Sequence, residues 1–205
     1  SVFTQDGGPD TVVQASTAAG SDGLRRAGLE ASGPHGGGDC RLSATRIETG
    51  GYREHSAAER THLNAKLRFQ VDDDTRWTLV ANGLRAPRAL DPLGLSRADF
   101  DTAPRRAPPQ ALVYDARKAV SQDQVGATLE HRLDAHDTLR WSAWAVRRET
   151  LQFLAMPAQS QVAPTSGGGV VDLAREQAGT DLRWARRTRL LGAPASLTAG
   201  LAFDR

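Results

Sequence analysis

The sequence predicts an all-β protein: a fragment of a transmembrane, antiparallel, up-and-down β-barrel with about nine strands. Three observations predict this class. Apolar and polar residues alternate over segments about as long as a strand that crosses a membrane at a tilt. The connections between these segments sort by length, with every second one brief. No apolar run approaches the roughly 20 residues of a spanning helix, which excludes an α-helical membrane protein.

The composition is compatible with this class. Hydrophobic residues make up 39% of the 205-residue chain, the mean hydropathy is −0.46 and the formal charge is +2. These values suit a soluble domain, but they also suit a membrane barrel, whose strands are half polar. The single Cys40 provides neither a disulfide nor a metal framework.

The clearest strand signal is HLNAKLRFQV, residues 62–71. Its apolar residues fall on one face of a strand: Leu63, Ala65, Leu67, Phe69 and Val71. Its polar residues fall on the other face, and strict alternation of this kind indicates a strand with two different environments. After the turn at 72–75 the pattern resumes with Trp77, Leu79, Ala81 and Gly83 on one side.

Further alternating segments complete the set of strands. They are Thr11–Ala19, Ala27–Ala31, Arg41–Ile47, Val125–Leu133, Leu139–Ala145, Thr180–Leu190 and Ser196–Arg205. The predicted connections, in order, are 20–23, 34–39, 48–60, 72–75, 86–121, 134–137, 151–176 and 192–195. After the first, brief turns alternate with long polar loops, so the brief turns should share one end of the sheet. Outer-membrane barrels have this asymmetry, whereas a soluble sandwich has no reason for it.

The apolar face is therefore expected to meet lipid, and the charged face a wet or filled lumen. Phe69, Trp77 and Trp141 lie close to brief turns, where an interfacial aromatic girdle would lie. Two alternatives stay open at this point. One is a passive porin-type barrel, and the other is a soluble β-sandwich binding module; the aromatic residues could also form the core of a soluble barrel.

The segment Gly51–Ala58 followed by Leu63–Leu67 (GYREHSAA, then LNAKL) resembles the early barrel of TonB-dependent outer-membrane receptors. Residues 2–5 resemble the last strand of that family's plug domain, and residues 20–28 resemble its first barrel hairpin. The resemblance runs along essentially the whole chain and is most specific between residues 20 and 70. It implies a plug tail and junction over residues 1–10 and the N-terminal portion of the barrel over residues 11–205.

The resemblance also implies a function for the parent protein. Such receptors take up ferric siderophores or similar scarce nutrients across the bacterial outer membrane, with energy coupled through TonB. Their plug, TonB box and full set of 22 strands are not in this sequence, and their usual final aromatic residue is replaced by Arg205. Both ends look cut, and no signal peptide is present, so we expect a piece of a longer protein. The expected partners are the ligand, the bilayer with its lipopolysaccharide, and TonB through the absent plug region.

Other chemistries find little support. Glu130, His131, Asp134, His136 and Asp137 include good metal ligands, but neighbouring strand residues point to opposite faces and the Asp residues suit a turn. The Asp72–Asp74 run lacks the ligand spacing of a calcium loop. The basic run Arg183–Arg189 has one aromatic in a nearly neutral chain, which is a poor nucleic-acid footprint. We assign Arg183, Arg187 and Arg189, which share a face, to the lumen. No residues are arranged as a nucleophilic triad, so we expect neither an enzyme nor a cofactor.

The long loops hold the candidate ligand-binding residues. These are Tyr52, Arg53, His55, Arg60, Arg88, Arg105, Arg106 and Tyr114. Arginine presents planar donor forks that suit carboxylate, catecholate or phosphate oxygens, and ferric siderophores are commonly anionic. A basic outer vestibule would concentrate such ligands. The alternative is that these arginines pair with neighbouring acids or with lipopolysaccharide phosphates.

Overall fold

The computed structural model describes residues 5–205, and over that range it forms one antiparallel sheet of nine strands. The strands are β1 Val12–Ala19, β2 Arg25–His35, β3 Gly38–Thr49, β4 Ala58–Gln70, β5 Thr75–Leu90, β6 Arg117–Arg132, β7 Asp137–Phe153, β8 Val170–Leu190 and β9 Ala193–Asp204. Three short helices lie in loops: α1 Arg97–Thr102, α2 Pro109–Val113 and α3 Ala158–Gln161. The predicted plug strand lies largely outside the described residues, since 2–4 are not among them.

Each strand pairs with the next along the chain, which confirms the predicted up-and-down all-β fold. The main differences from prediction are at the long loops. The connection predicted over 86–121 spans only 91–116, and that predicted over 151–176 spans 154–169. The sequence pattern failed at the end of β5 because the pairing register shifts between Ala86 and Ala89. Pro87 lies in this irregularity, where its missing N–H costs no ladder bond.

The connections separate by length as predicted. The sheet's short-turn end carries the connections 36–37, 71–74, 133–136 and 191–192. Its long-loop end carries 20–24, 50–57, 91–116 and 154–169. The first hairpin is the brief exception at the long-loop end, as the sequence indicated.

The pairing register places most of the large apolar residues of the nine strands on one side of the sheet. Residues directly opposite each other in an antiparallel pair share a face. Leu63 is opposite Ala44 and Gly83, and Ala65 is opposite Leu42 and Ala81. Further residues of the same face lie on β6–β9 and include Val125, Ala127, Ala143, Ala145, Leu182 and Leu201. We call this side the apolar face and the opposite side the polar face.

Aromatic residues line the apolar face near the short-turn end. Phe69 is opposite Trp77, and Leu129 lies between Trp77 and Trp141 in the same row. The two indole rings meet edge to face with centroids 5.9 Å apart, a favoured aromatic geometry. The predicted cluster of aromatics beside brief turns is therefore present.

The described chain has almost no interior. Its buried hydrophobic residues are Ala107, Ala111 and Ala116, all between β5 and β6. On the apolar face, Leu63 is 53% exposed and Leu201 is 81% exposed. Within residues 5–205 no second sheet covers that face, which is the opposite of what a β-sandwich requires.

In the described part of the chain, no helix has the length and apolar character needed to span a membrane.

The later strands are longer than a membrane requires. β7 has 17 residues and β8 has 21, whereas about 9–11 residues suffice for a tilted spanning strand. In both strands the apolar rows lie nearer the short-turn end, and charged rows follow toward the long-loop end. The sheet therefore extends well beyond an apolar band at its long-loop end.

The short turn between β6 and β7 is closed by Asp134. Its carboxylate accepts hydrogen bonds from the backbone N–H of His136 at 2.7 Å and of Asp137 at 2.8 Å. These backbone donors lower the pKa of Asp134. The carboxylate predicted as a turn former rather than a metal ligand thus has its acceptor capacity used within the turn.

The pKa shift of Asp134 predicts that this turn loosens in acid. A lowered folded-state pKa gives stabilisation that is full above the ordinary aspartate value of roughly 3.9 and is lost as pH falls below it. Hydrogen-exchange protection of the His136 and Asp137 amides should therefore decrease below that pH. Asp134→Asn should remove the pH dependence, and protection that stayed constant in the wild-type protein would contradict this account.

Candidate functional site

The most structured part of the long-loop end is a group of three connections, 20–24, 50–57 and 91–116, which we call the loop cluster. Its centre is the GYREHS segment, residues 51–56. Gly51 has φ +80, and a side chain there would collide with the backbone of Ser56. The Ser56 hydroxyl accepts from the N–H of Arg53 at 3.1 Å and donates to its carbonyl at 2.5 Å. Gly51 and Ser56 thus form a tight turn that projects Arg53.

Arg53 joins two of these connections. Its guanidinium donates to the carbonyls of Leu93 at 2.5 Å, of Pro92 at 3.0 Å and of Arg106 at 3.0 and 3.2 Å. One side chain therefore donates to three carbonyls of the 91–116 connection, because a guanidinium presents five N–H donors in one plane. A ligand would have to displace these bonds to reach the guanidinium.

The two residues after Arg53 also form hydrogen bonds with the 91–116 connection. The backbone N–H of Glu54 donates to the Arg105 carbonyl at 2.7 Å, and its carboxylate accepts from the N–H of Ala107 at 3.2 Å. His55 Nε2 lies 2.9 Å from the Ala116 carbonyl, and its side chain is only 11% exposed. The GYREHS segment therefore holds the 91–116 connection in place.

Arg105 links the 91–116 connection to the first hairpin. Its guanidinium lies 3.1 Å from the Asp22 carboxylate and 4.4 Å from the centre of the Tyr52 ring. The contact between Arg105 and the Tyr52 ring is a cation–π interaction. Sequence reasoning missed Asp22, which lies 83 positions away along the chain. A lone aspartate in a Ser-Asp-Gly turn carries no signal of such a distant partner.

The other predicted ligand-binding residues are not gathered in one place. Arg106 is exposed, and within residues 5–205 its side chain has no hydrogen-bond or ion-pair partner. Tyr114 is half-buried at the C-terminal end of α2. Arg60 and Arg88 lie on strands, with Arg60 on the polar face opposite Ile47 and Arg88 on the apolar face opposite Glu59. The structure thus brings together Tyr52, Arg53, His55 and Arg105, with Arg106 beside them.

The loop cluster is not basic. Its basic residues are Arg53, Arg97, Arg105 and Arg106. Its acidic residues are Asp22, Glu54, Asp91, Asp99, Asp101 and Asp115. Arg88 and Arg117, which the sequence assigned to the loop, belong to β5 and β6. The expected basic vestibule therefore finds no support in the distribution of charge at this end.

Positive charge is concentrated on the polar face instead. By register, the strands place fourteen basic residues there: Arg26, Arg41, Arg60, Lys66, Arg68, Arg76, Lys118, Arg132, Arg140, Arg148, Arg175, Arg183, Arg187 and Arg189. The acidic residues of that face are five: Glu30, Asp39, Glu130, Asp181 and Asp204. The chain's net charge of +2 hides this, because the loops and turns are acidic.

The apolar face, by comparison, carries equal numbers of basic and acidic residues. Its seven basic residues are Arg25, Arg46, Arg85, Arg88, Arg117, Arg147 and Arg186, and its seven acidic residues are Glu48, Glu59, Asp123, Asp137, Glu149, Asp172 and Glu176. Most lie at the long-loop end, above the apolar rows. Close pairs include Arg85–Asp123 and Arg147–Glu149, both at 2.8 Å.

The segment before β1 lies against the polar face. Asp6 accepts from Lys66 at 2.5 Å and from Arg68 at 2.6 Å, and the hydrogen bond from Lys66 lowers the pKa of Asp6. The N–H of Gly7 donates to the Asp39 carboxylate at 2.8 Å. A side chain on Gly7 would lie 2.6 Å from the Cys40 carbonyl, so only glycine allows this approach.

Within residues 5–205 no group of three or more His, Cys, Asp and Glu side chains is arranged to hold a metal ion. Glu130 lies on the polar face, where it pairs with Arg76, while His131 lies on the apolar face within 2.9 Å of the Thr75 hydroxyl. Asp72 accepts the N–H of Asp74 at 2.9 Å inside its own turn. These acids have structural partners.

Comparison with solved structures gives the fold a context. The ferric citrate transporter FecA, in its unliganded form, matches with a TM-score of 0.74 and 16% sequence identity, covering 98% of this chain and 29% of that one. FpvAI in its complex with pyocin S2 matches with a TM-score of 0.69, 15% identity and coverages of 98% and 28%. The ferric-catecholate import receptor Fiu of E. coli K12 matches with a TM-score of 0.70, 15% identity and coverages of 98% and 32%. No protein-family model matches the chain.

These likenesses confirm the predicted fold along nearly the whole chain. The sheet has the architecture of part of the barrel in TonB-dependent siderophore receptors, which is the resemblance that the sequence indicated. The chain spans less than a third of the length of each of these structures.

Proposed function

We propose that this chain is the N-terminal part of the barrel of an outer-membrane receptor that takes up a ferric siderophore or similar scarce nutrient, with energy supplied through TonB. Residues 11–205 belong to the barrel and residues 1–10 to the junction with a plug. The protein binds and transports without covalent chemistry. Ligand contacts of the parent protein lie at the long-loop end, where Arg106 is an exposed cation of the loop cluster with no ion-pair partner among residues 5–205.

The observation that carries the proposal is the continuous apolar face. An uncovered band of Leu, Ala, Val and Trp side chains spanning nine strands would aggregate in water but is stable against hydrocarbon. The long-loop end then faces outward, since outer-membrane barrels carry short turns on the periplasmic side. The likeness to a ferric citrate transporter and a ferric-catecholate import receptor supports an iron chelate as the ligand class.

The charged rows of the apolar face support an outer-membrane location. Arg85, Asp123 and Arg147 lie on the band's long-loop side, at the depth where lipid head groups begin. Paired charges of both signs suit a head-group layer of phosphates and divalent cations, such as that of lipopolysaccharide. The same residues would be costly one or two rows deeper in the hydrocarbon.

Uptake by the full-length protein tests the proposal. Cells expressing it as their only iron-chelate receptor are offered a panel of iron-55 siderophores and ferric citrate, with and without a protonophore. At least one chelate should accumulate, and the protonophore should abolish its accumulation. Chelate accumulation that is unaffected by the protonophore would indicate a passive porin instead. No uptake of any chelate would contradict the assigned ligand class.

Arg106 gives a residue-level prediction for the same protein. Arg106→Ala should weaken binding of an anionic chelate about tenfold, the effect of losing roughly one hydrogen bond to a charged group. Arg97→Ala is the matched control, because Arg97 is also an exposed loop arginine but pairs with Asp101 on α1. Equal affinities of the wild type, Arg106→Ala and Arg97→Ala at low salt would show that Arg106 does not contact the ligand.

A further inference from the structure

We infer that the apolar face carries, toward its long-loop end, a specific site for a phosphorylated glycolipid, the lipid A part of lipopolysaccharide. An acyl chain of this lipid lies in a groove across β2–β6, and a phosphate of its head group contacts Arg46 and Arg85. The inference rests on the proposed function only in requiring that the long-loop end face the outer leaflet. It concerns the outside of the sheet and none of the predicted loop residues.

The first observation is a groove of about 570 Å³ on the apolar face, a volume typical of ligand sites. Small residues form its floor, since Ala65 is opposite Ala81 and Gly83 follows two positions along β5. A methyl group added at Gly83 would have no neighbour closer than 3.7 Å. The groove is bordered by larger side chains that are 52–56% exposed: Leu29, Leu42, Leu63 and Val125. A lipid chain in this groove contacts apolar atoms on several sides, whereas a flat face offers only one.

The second observation is an adjoining groove of about 350 Å³ on the same face. Its floor includes Ala145 and Ala178, which are opposite each other on β7 and β8. Asp123 and Val125 of β6 line both grooves and therefore separate them. Two neighbouring grooves suit a lipid that carries several acyl chains on one head group.

The third observation is a row of hydrogen-bond donors at the long-loop edge of the first groove. Arg46, Thr61 and Arg85 are directly opposite one another on β3, β4 and β5. Arg85 is two residues beyond Gly83, so this row directly follows the floor of the groove. The side chains of Arg46 and Arg85 are 58% and 53% exposed. Guanidinium groups on both sides of a hydroxyl, beside an apolar groove, match a phosphate group carried by a lipid.

The ion pairs of the two arginines leave donors for a ligand. Arg46 donates through Nε to Glu48 at 2.6 Å and through Nη2 to Glu59 at 3.2 Å. Arg85 donates through Nη2 to Asp123 at 2.8 Å. A guanidinium has five N–H donors, so each arginine can also bond to a phosphate while keeping these partners. The carboxylates accept from sugar hydroxyls, so the row matches a head group that carries both phosphates and hydroxyls.

Lipid titration of the full-length protein tests the inference. The wild type and its variants are purified in detergent, freed of bound lipid, and titrated with lipid A or with phosphatidylethanolamine, and bound lipid is counted by native mass spectrometry. The wild type should bind lipid A saturably and more tightly than phosphatidylethanolamine. Arg46→Gln and Arg85→Gln should each weaken lipid A binding about tenfold, the effect of losing roughly one hydrogen bond to a charged group.

Gly83→Leu tests the groove separately, because leucine fills it and leaves every charge in place. The open space at Gly83 accepts the new side chain, so the variant should fold and insert like the wild type while lipid A binding weakens. Ala143→Leu is its matched control, on the same face but outside both grooves. Arg186→Gln is the control for the arginines, because Arg186 is an exposed arginine of the same face at the short-turn end, 3.5 Å from Asp137.

The pattern across these variants decides the inference. Weaker lipid A binding in Arg46→Gln, Arg85→Gln and Gly83→Leu, with both controls unchanged, supports the site. Equal binding by all variants overturns it, since lipid then covers the face without a specific site. Equally tight binding of phosphatidylethanolamine by the wild type overturns the glycolipid as the ligand. Loss of iron-chelate uptake in the test above, with these binding differences intact, would overturn the proposed ligand class and leave the lipid site standing.

Discussion

Replacing Ala81 with arginine is expected to lower the free energy of unfolding of the full-length protein in a bilayer by about 2–4 kcal/mol, the cost of an arginine near the midplane of a barrel's lipid face. Ala81 lies between Ala65 and Val125 in the register, about midway between the aromatic row at Trp77 and the charged row at Arg85. A guanidinium at this depth has no water, and the carboxylate in the adjacent row, Asp123, already pairs with Arg85 at 2.8 Å. The expected readouts are a shifted urea midpoint in phospholipid vesicles and a reduced outer-membrane level.

Asn82→Arg is the control for Ala81→Arg. Asn82 is the next residue on β5, but it lies on the polar face between Asn64 and Gln124. An arginine there enters an aqueous lumen and should change the urea midpoint little. If the two variants were equally destabilised, or if Ala81→Arg were tolerated, hydrocarbon could not be the solvent of the apolar face, and the membrane assignment would fail.

The fold was largely predictable because its two main signals are local. Alternation identifies a strand from its own residues, as in Leu63 to Phe69, and connection length can be read from the spacing of strands. The signal weakened where alternation stopped while pairing continued. Beyond Pro87 the register shifts, so the end of β5 read as loop although it stays in the sheet to Leu90. The helices α1 and α2 were also missed, because five or six residues are too few to show a helical period.

The loop cluster was less predictable, because its partners are distant in sequence. The GYREHS segment was correctly singled out, but Arg53 was predicted as a ligand-binding residue, whereas its guanidinium is occupied by carbonyls about 40 and 53 positions away. Backbone carbonyls leave no trace in a residue pattern. The charge on the polar face was hidden for another reason. Net charge averages over the whole chain, and only the register shows which side of the sheet each arginine occupies.

Arg53→Ala is expected to release the 91–116 connection from the GYREHS segment. The substitution leaves the carbonyls of Pro92, Leu93 and Arg106 without their donor, and each hydrogen bond to a charged group is worth about 1.5–3 kcal/mol. The amide of Glu54, which donates to the Arg105 carbonyl across the same contact, reports the release. Its hydrogen exchange in the full-length protein should accelerate about tenfold to a hundredfold, while amides of β4 and β5 stay protected.

Two variants separate the fork of Arg53 from its charge. Arg53→Lys keeps the charge but cannot reach three carbonyls at once, so Glu54 should exchange nearly as fast as in Arg53→Ala. Arg106→Ala removes a side chain that makes no hydrogen bond or ion pair within residues 5–205, while keeping the carbonyl that Arg53 uses, so Glu54 exchange should be unchanged. Slow Glu54 exchange in Arg53→Ala would mean that Glu54 and His55 hold the loops alone. Arg53 would then again be available as the ligand-binding residue that the sequence predicted.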